Sequence, residues 1–228
     1  MSVWNELITG IIFVAGGYWL IKTVYQWNYF RKSIYKELYS GYIEYAFRKK
    51  NITRLSKSYY LDNELGSHRI VYQIVQSKTS KVPEAYVILI LSTGMYLLNI
   101  KNQNGKAVLK KHGDMKQIYI SKDKKNKGQT KELLLKNPLD ESMFFEKRMR
   151  QRMADIDSPM TSMVVFPDKT EVVFEGTNDS GVKVINKKEL IGEIKKAMNN
   201  SSVKIPDDKI ERIFHHIADE SIEIEKNM

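Results

Sequence analysis

The sequence predicts an α/β domain, with a central mixed sheet flanked by helices, behind a single N-terminal transmembrane helix. Three observations lead to this fold class. Residues 7–21 carry no charged side chain, short runs of strand-forming apolar residues occupy the middle of the chain, and segments with helical spacing stand before, between and after those runs. With 42% hydrophobic and 28% charged residues in a total of 228, the chain can bury a sizeable core and does not have the composition of a disordered protein.

The uncharged N-terminal run is predicted to be a membrane anchor. A helix that spans a bilayer needs about 20 apolar residues, and the run reaches that length with its apolar neighbours Val3, Trp4, Val24, Tyr25 and Trp27. Aromatic side chains stand near both ends, as they do at the two interfaces of a membrane. A cleaved signal peptide would carry positive charge ahead of its apolar core, and a helix of a soluble core is rarely apolar on every side. Both alternatives therefore fit less well.

Positive charge is concentrated in two stretches of the chain. Residues 22–57 hold nine Lys or Arg against two Asp or Glu, residues 101–136 hold eleven against three, and residues 201–228 hold four against seven. Because the first basic stretch directly follows the apolar run, the positive-inside rule places residues 28–228 in the cytoplasm of a single-pass protein of the cell membrane. The formal net charge of +10 favours an anionic partner, either a nucleic acid or an acidic membrane surface.

The residue types present exclude several kinds of site. The chain has no cysteine, which excludes a disulfide framework, a thiolate zinc site and a cysteine nucleophile. His215 and His216 are neighbours on a predicted helix, so their side chains point about 100° apart and do not form a metal-binding pair. The residues themselves thus predict no metal site and no other cofactor.

The chain divides into four predicted segments. They are a membrane anchor over residues 1–27, a basic and aromatic juxtamembrane helix over 28–57, an α/β domain over 58–200 and an acidic C-terminal helix over 201–228. Aromatic and aliphatic residues recur at three- and four-residue steps between 25 and 50, which predicts one continuous helix there. Such a helix either lies on anionic lipid, forms a stalk, or packs on the domain that follows it.

Periodicity assigns the elements of the α/β domain. Four-residue steps from 64 to 76 predict a helix, and the apolar run 86–91 predicts a buried central strand that a Ser-Thr-Gly turn joins to a second strand at 95–100. Further strands are predicted at 107–110 and 117–120, ahead of a polar basic loop at 121–131. The remaining predicted elements are a helix over 139–154, strands at 163–166, 171–174 and 182–185, a helix over 187–198 and a final helix after Pro206.

The stretch from Gly94 to Lys106, with the sequence GMYLLNIKNQNGK, resembles the core motif of the nuclease-related domain (NERD) family. Two later segments, Asn137-Pro138-Leu139-Asp140-Glu141 and Val164-Val165-Phe166, resemble the Asn-Pro-Leu-x-Gln helix start and the apolar strand that follow in that family. The resemblance covers about residues 62–198. It implies a restriction-endonuclease-like fold, whose nuclease site has an aspartate on one strand and Glu-x-Lys on the next.

The residues that carry catalysis in that family are replaced in this chain. Aligned with the family pattern, the strand aspartate falls on Tyr86 and the glutamate on Asn99, whereas the lysine is kept as Lys101. In the family chemistry the carboxylates hold a divalent cation that activates water, and the lysine stabilises the developing charge. A neutral phenol and a neutral amide are poor ligands for Mg²⁺, so the resemblance predicts a vestigial site. The acids considered as relocated replacements are Glu84, Glu64 and Glu141.

Lysines follow the vestigial site along the chain. Lys101, Lys106, Lys110 and Lys111 are predicted to face phosphates as a nucleic-acid-binding strip, which continues with Lys116, Lys122, Lys124, Lys125 and Lys127. The alternative is that they belong to a solvated strand edge and loop.

Three functions are compatible with these patterns. The first is a bacterial, membrane-tethered binding or scaffold module without nuclease activity, with nucleic acid as an expected partner. The second is an active nuclease that holds Mg²⁺ with relocated carboxylates. The third is a protein-interaction module of an envelope complex.

Overall fold

The computed structural model describes residues 3–75, 84–111, 113–121 and 128–226. Over these residues the chain is a mixed α/β protein with two mixed sheets and a long N-terminal helix. The expectation of an α/β domain preceded by an apolar helix is confirmed at this level.

The first helix, α1 (Val3–Lys32), carries the apolar run. Its segment Leu7–Lys32 is long and apolar enough to cross a membrane, and none of its most apolar window is buried inside the protein. A helix of a soluble core would be mostly buried, so the exposed surface of α1 does not fit that alternative, whereas a signal sequence has the same length and composition.

The last two turns of α1 are fixed to the domain. Phe30 is buried in the core, and the side-chain carbonyl of Gln26 accepts a hydrogen bond from the Tyr42 hydroxyl at 2.7 Å. The ammonium of Lys187 donates to the main-chain carbonyl of Lys32 at 2.5 Å, where a cation complements the negative end of the helix dipole. Burial lowers the pKa of Lys187. Together these contacts set the direction in which α1 leaves the domain.

The remaining helices and the strands follow in chain order. The helices are α2 (Tyr35–Leu38), α3 (Tyr42–Arg48), α4 (Ile52–Leu55), α5 (Tyr59–Leu65), α6 (Pro138–Arg152), α7 (Leu190–Asn199) and α8 (Asp207–Lys226), with a 3-10 turn at Lys187–Glu189. The strands are β1 (His68–Val75), β2 (Glu84–Leu91), β3 (Gly94–Ile100), β4 (Gly105–Lys110), β5 (Met115–Ile120), β6 (Thr130–Leu135), β7 (Met160–Phe166), β8 (Thr170–Glu175) and β9 (Lys183–Asn186).

The predicted single helix over 25–50 is wrong, because the chain breaks after α1 and again before α3 and α4. The hydroxyl of Ser33 donates to the carbonyl of Phe30 and accepts from the amide of Tyr35, which turns the chain out of α1. Gly41 precedes α3 with an extended backbone, and Asn51 caps α4 through its side chain. The aromatic residues at helical spacing therefore pack as a cluster between short helices, with the rings of Tyr35 and Tyr45 stacked at 4.4 Å.

The predicted helix over 64–76 is also wrong, because strand β1 occupies most of that segment. Helix α5 ends at Gly66, whose positive φ of 80° is a conformation that glycine adopts without strain. Apolar residues four apart also share a face of a strand, and the β-branched Ile70, Val71 and Ile74 favour a strand. Antiparallel pairing with β2 along the whole of β1 decides between the two structures.

Sheet A has the strand order β1-β2-β3-β7-β9, with β1 to β3 antiparallel and β3, β7 and β9 parallel. One face of this sheet packs against the end of α1 and against α2, α5 and α7, through residues such as Leu38, Leu61 and Ile194. We refer to this side as the α7 face. The other side, the α6 face, is covered by α6 and α8, through Phe145, Met149 and Ile213 among others.

Sheet B has the strand order β6-β5-β4-β8 and packs beside the start of α6. Its core residues Ala107, Leu109 and Met115 contact the cluster of Leu139 on α6 and Phe166 on β7. Strand β6 falls partly in the segment predicted as a loop, while residues 122–127 of that loop lie outside the described residues. The first turn of α6 is therefore enclosed between the two sheets.

Gly105 opens β4 at a place where only glycine fits. Its φ is +102°, and a Cβ there would lie 2.3 Å from the carbonyl oxygen of Ile118 on β5. Gly113 has a similar φ of +91° but open space around the position of a Cβ.

We predict that Gly105→Ala lowers the free energy of unfolding by about 1–3 kcal/mol more than Gly113→Ala, because overpacking adds to the shared backbone strain. Urea unfolding of the full chain in detergent micelles measures the difference, and equal losses would contradict the register of β4 against β5.

Candidate functional site

The residues of the predicted vestigial site lie together on the α6 face of sheet A. Tyr86 on β2 is paired directly with Asn99 on β3, so both side chains project to the same side of the sheet. Lys101 follows two residues after Asn99 and shares that side. Helix α6 covers all three positions, and its Glu141 contacts Lys101. The structure thus brings together four of the six residues proposed for this site.

The motif around residues 137–141 fixes where α6 begins. The side chain of Asn137 accepts a hydrogen bond from the amide of Leu139 at 3.1 Å and donates to the carbonyl of Lys110 at 2.8 Å. Pro138 occupies the first helical position, where its missing N–H has no structural cost. The cap ties the helix start to the end of β4 and holds Glu141 in the first turn, over the end of β3.

Asn99 is enclosed beneath this first turn and has no exposed surface. Its Nδ2 donates to the carbonyl of Pro138 at 3.3 Å and to the Ser142 hydroxyl at 3.1 Å, and that hydroxyl donates to the same carbonyl at 2.7 Å. Among the described residues no donor reaches Oδ1 of Asn99. The side-chain nitrogen of Asn99 therefore donates hydrogen bonds to the start of α6, whereas its side-chain oxygen accepts none from the described residues.

Lys101 and Glu141 form an ion pair at the edge of the enclosed region. About a tenth of each side chain is exposed, 11% for Lys101 and 12% for Glu141. Glu141 also lies in the first turn of α6, where the helix dipole favours a carboxylate. The carboxylate that contacts Lys101 in the described structure is thus already paired with that lysine.

Tyr86 stands at the position of the expected aspartate and makes an aromatic contact there. It is buried, and its ring stacks on that of Phe145 with centroids 4.0 Å apart and an interplanar angle of 17°. Offset-stacked rings of this kind belong to a packed core. The first carboxylate position of the family pattern is therefore occupied by part of the contact between sheet A and α6.

Of the other two proposed acids, Glu64 lies away from Lys101 and the side chain of Glu84 is not described. Glu64 lies on α5, which packs on the opposite α7 face, and its carboxylate pairs with Lys195 at 2.5 Å. Glu64 and Lys101 thus lie on opposite sides of sheet A in this structure. Glu84 pairs with Val75 at the start of β2, but its side chain lies outside the described residues.

The described donor set is a poor fit to a divalent cation. Mg²⁺ is usually bound through one or two carboxylates together with waters, whereas the described side chains of the site offer one carboxylate, held by an ammonium, and one amide oxygen. Across the described ranges, no group of three or more His, Asp or Glu side chains is arranged to hold a metal ion.

The predicted lysine strip is paired with acids of neighbouring strands. Lys106 contacts Glu171 at 3.2 Å and Lys110 contacts Glu175 at 2.8 Å, because the parallel register of β4 and β8 places each pair side by side. The Lys110 ammonium holds the pKa of the Glu175 carboxyl below its ordinary value. Two further pairs join Lys111 to Asp179 and Lys116 to Glu132. Residues Lys122, Lys124, Lys125 and Lys127 lie outside the described residues.

Neither these partner acids nor the contacts with which the start of α6 covers Asn99 were predicted from the sequence. Lys106 and Lys110 are four residues apart, as are Glu171 and Glu175, and matching charge spacing on two strands was the available signal for their pairing. Ser142 and Phe145 carried no such signal, because they are ordinary residues of an amphipathic helix.

Comparisons with protein-family models, with curated proteins and with solved structures find no match to this chain.

The environment of Asn99 predicts opposite results for two substitutions. Asn99→Leu removes two weak donor contacts and an oxygen that had no partner, so the free energy of unfolding should change by no more than about 1 kcal/mol. Asn99→Asp places a buried carboxylate against the Pro138 carbonyl, and should cost at least about 2 kcal/mol at pH 8. The cost should shrink at pH 5, where protonation restores a donor.

Urea unfolding at the two pH values checks this pair of variants. The exposed Asn102→Asp, three residues along, is the matched control for the added charge and should have little effect. A tolerated Asn99→Asp at pH 8 would mean that the enclosure beneath α6 accepts an anion, contrary to its geometry.

Proposed function

We propose that this chain is a membrane-anchored, NERD-like module without nuclease activity, which acts as a tethered scaffold on the cytoplasmic side of a bacterial cell membrane. In this proposal the α/β domain has the restriction-endonuclease-like fold, and its former catalytic centre holds the domain together. The partner is a protein of the cell envelope.

The observation that carries the proposal is the closed site at the start of α6. Metal-dependent hydrolysis of a phosphodiester needs a dication that activates water and neutralises developing charge. Here Tyr86 and Asn99 stand where the two acids are expected, and the acid that the structure describes at the site, Glu141, is bound to Lys101. An active site would have to break this ion pair and displace α6 before a cation could enter.

The order of elements agrees with the fold that the resemblance implies. Strands β2 and β3 form a hairpin, and after α6 the chain returns as β7, parallel to β3. Tyr86 and the Asn99-x-Lys101 sequence fall on adjacent strands in matching register. This is the placement that the family motif requires of its aspartate and its Glu-x-Lys.

Charge pairing supports a protein partner in preference to nucleic acid. A phosphate that bound Lys106 or Lys110 would have to compete with a carboxylate already in contact. Nucleic acid is the second candidate, since the net charge of +10 still favours anions. The cytoplasmic placement is supported by the basic residues that follow the apolar run.

Cleavage by the full chain in nanodiscs tests the absence of nuclease activity. With Mg²⁺ or Mn²⁺ and either single- or double-stranded DNA or RNA, we expect no cleavage above a protein-free control, because the site lacks two anionic ligands. Metal-dependent cleavage that disappears in both Glu84→Gln and Glu141→Gln, but persists in Asp140→Asn, would establish the alternative of a nuclease with relocated acids.

Salt-dependent binding separates a protein scaffold from a nucleic-acid-binding one. We expect the full chain to bind a DNA duplex weakly, and Glu171→Gln with Glu175→Gln to bind more tightly, with a log–log salt slope steeper by roughly 2, because two lysines become free for phosphates. If the unaltered chain already binds tightly and Lys106→Gln with Lys110→Gln abolishes binding, the lysine strip is a nucleic-acid site and the partner assignment fails.

A further inference from the structure

Helix α3 presents a bare apolar edge beside the exit of α1. Ile43 and Phe47 stand one helical turn apart on the same side, and 72% and 69% of their surface is exposed. The opposite side of α3 carries Tyr42 and Tyr45, which pack on Phe30 of α1. An exposed aliphatic and aromatic pair on so short a helix is a surface that lacks a partner in the described structure.

The contacts of α3 with α1 place this edge near the end of the apolar run. Tyr42 is hydrogen-bonded to Gln26, and Trp27 lines the same open groove as Ile43 and Phe47. Gln26 is one helical turn beyond Lys22, which ends the uncharged run, and one turn rises about 5–6 Å. The headgroup layer extends about 5–8 Å beyond each side of the hydrocarbon core. A bilayer around the apolar run therefore reaches the level of α3.

The domain cannot swing freely away from that level, because the end of α1 is held by the core. Phe30 is buried, and Lys187 binds the carbonyl of Lys32. The orientation of α3 relative to the bilayer normal is thus set by the same contacts that join α1 to the domain.

Three cations without acidic partners in the described structure follow the apolar edge along the chain. Lys49, Lys50 and Arg54 follow α3 or lie on α4, and in the described part of the chain no carboxylate forms an ion pair with any of them. Arg54 lines the groove beside Phe47, and the ammonium of Lys49 lies 3.5 Å from Gln26. This differs from the lysines of β4, which are neutralised by β8. Unpaired cations at a membrane surface favour anionic lipid headgroups.

We propose that α3 docks on the membrane that α1 crosses, with Ile43 and Phe47 inserted in the headgroup layer and Lys49, Lys50 and Arg54 bound to anionic lipid. The short helix then acts as a second membrane contact that fixes the orientation of the domain. This inference rests on the membrane anchorage of the proposed function and is independent of the catalytic state of the α6 site.

The absence of cysteine allows spin labels at chosen positions of the full chain. Single-cysteine variants Ile43→Cys and Phe47→Cys carry the test labels in bilayers of phosphatidylcholine with phosphatidylglycerol. Leu134→Cys, equally exposed at 65% but on sheet B, is the aqueous control, and Phe13→Cys in α1 reports on the anchor. Collision rates with oxygen, which enters lipid, and with a water-soluble nickel chelate give the depth of each label.

We expect labels at 43 and 47 to lie about 5–10 Å within the interfacial layer, as for other surface-bound amphipathic helices. Their ratio of oxygen to nickel collisions should be several-fold higher than at 134 and lower than at 13. If the labels at 43 and 47 have the same collision ratio as the label at 134 while the label at 13 lies in lipid, the docking of α3 is contradicted and the membrane anchorage stands. If the label at 13 is also in water, the docking and the anchorage are both contradicted. Labels at 43 and 47 shielded from both reagents would reveal a protein contact and overturn lipid docking.

A charge-neutralised variant tests the lipid preference separately. Lys49→Gln with Lys50→Gln and Arg54→Gln should raise nickel collisions at position 47, because the anionic attraction is lost. Lys106→Gln with Lys110→Gln removes charge elsewhere and should leave the depth unchanged. If the label at position 47 has the same depth in the Lys49, Lys50 and Arg54 variant as in the unaltered charge background, the role of anionic lipid is overturned.

Discussion

The ion pair between Lys101 and Glu141 holds the first turn of α6 over the end of β3, and the architecture around the site depends on that placement. Asn137 and Pro138 start the helix at this point, Asn99 supports it from below, and Phe145 continues the contact along Tyr86. Because α6 lies between the two sheets, a shift of its start would disturb both cores. Among the side chains that the structure describes, this geometry leaves no unpaired carboxylate at the site, so the structural role of these residues and the proposed loss of catalysis have one cause.

The two basic stretches of the chain differ in whether their cations are paired with an acid of the same chain. On sheet B the parallel pairing of β4 with β8 places an acid beside Lys106 and Lys110. Near α3, Lys49, Lys50 and Arg54 have no such acid in the described structure. Coulomb attraction to an outside anion is strongest where no internal counter-ion competes. Among these residues, the positive charge without an internal counter-ion therefore lies beside α1, a helix long and apolar enough to cross a membrane.

Sequence reasoning was most successful where local pattern and tertiary structure agree. The run 86–91 and the turn at Gly94 gave β2 and β3, and the two-residue spacing of Asn99 and Lys101 placed them on one face. It failed at β1, where a four-residue repeat fits a helix and a strand equally and pairing with β2 makes the choice. It failed between 25 and 50 because the turns at Ser33 and Gly41 do not interrupt the aromatic spacing.

Matching charge spacing is a signal for the ion pairs of sheet B, but the sequence alone does not show which acid meets which lysine, because the partners lie far apart in the chain. Lys101 and Glu141 are brought together by the path of α6 across sheet A, and Glu171 meets Lys106 through a parallel register. The sequence did contain both members of each pair. What it lacked was the topology that decides which acid reaches which base, and that topology pairs Glu141 with Lys101 and Glu64 with Lys195.

Manganese binding tests the central claim most directly, since Mn²⁺ substitutes for Mg²⁺ at carboxylate sites and its free aqueous ion has a strong paramagnetic resonance signal. Mn²⁺ is titrated into the full chain in detergent micelles, in parallel with Glu141→Gln. The closed site predicts that the free-ion signal rises in proportion to added Mn²⁺, identically for both proteins. A stoichiometric loss of signal in the unaltered chain that Glu141→Gln abolishes would show that the carboxylate leaves Lys101 to bind a cation, and would contradict the account.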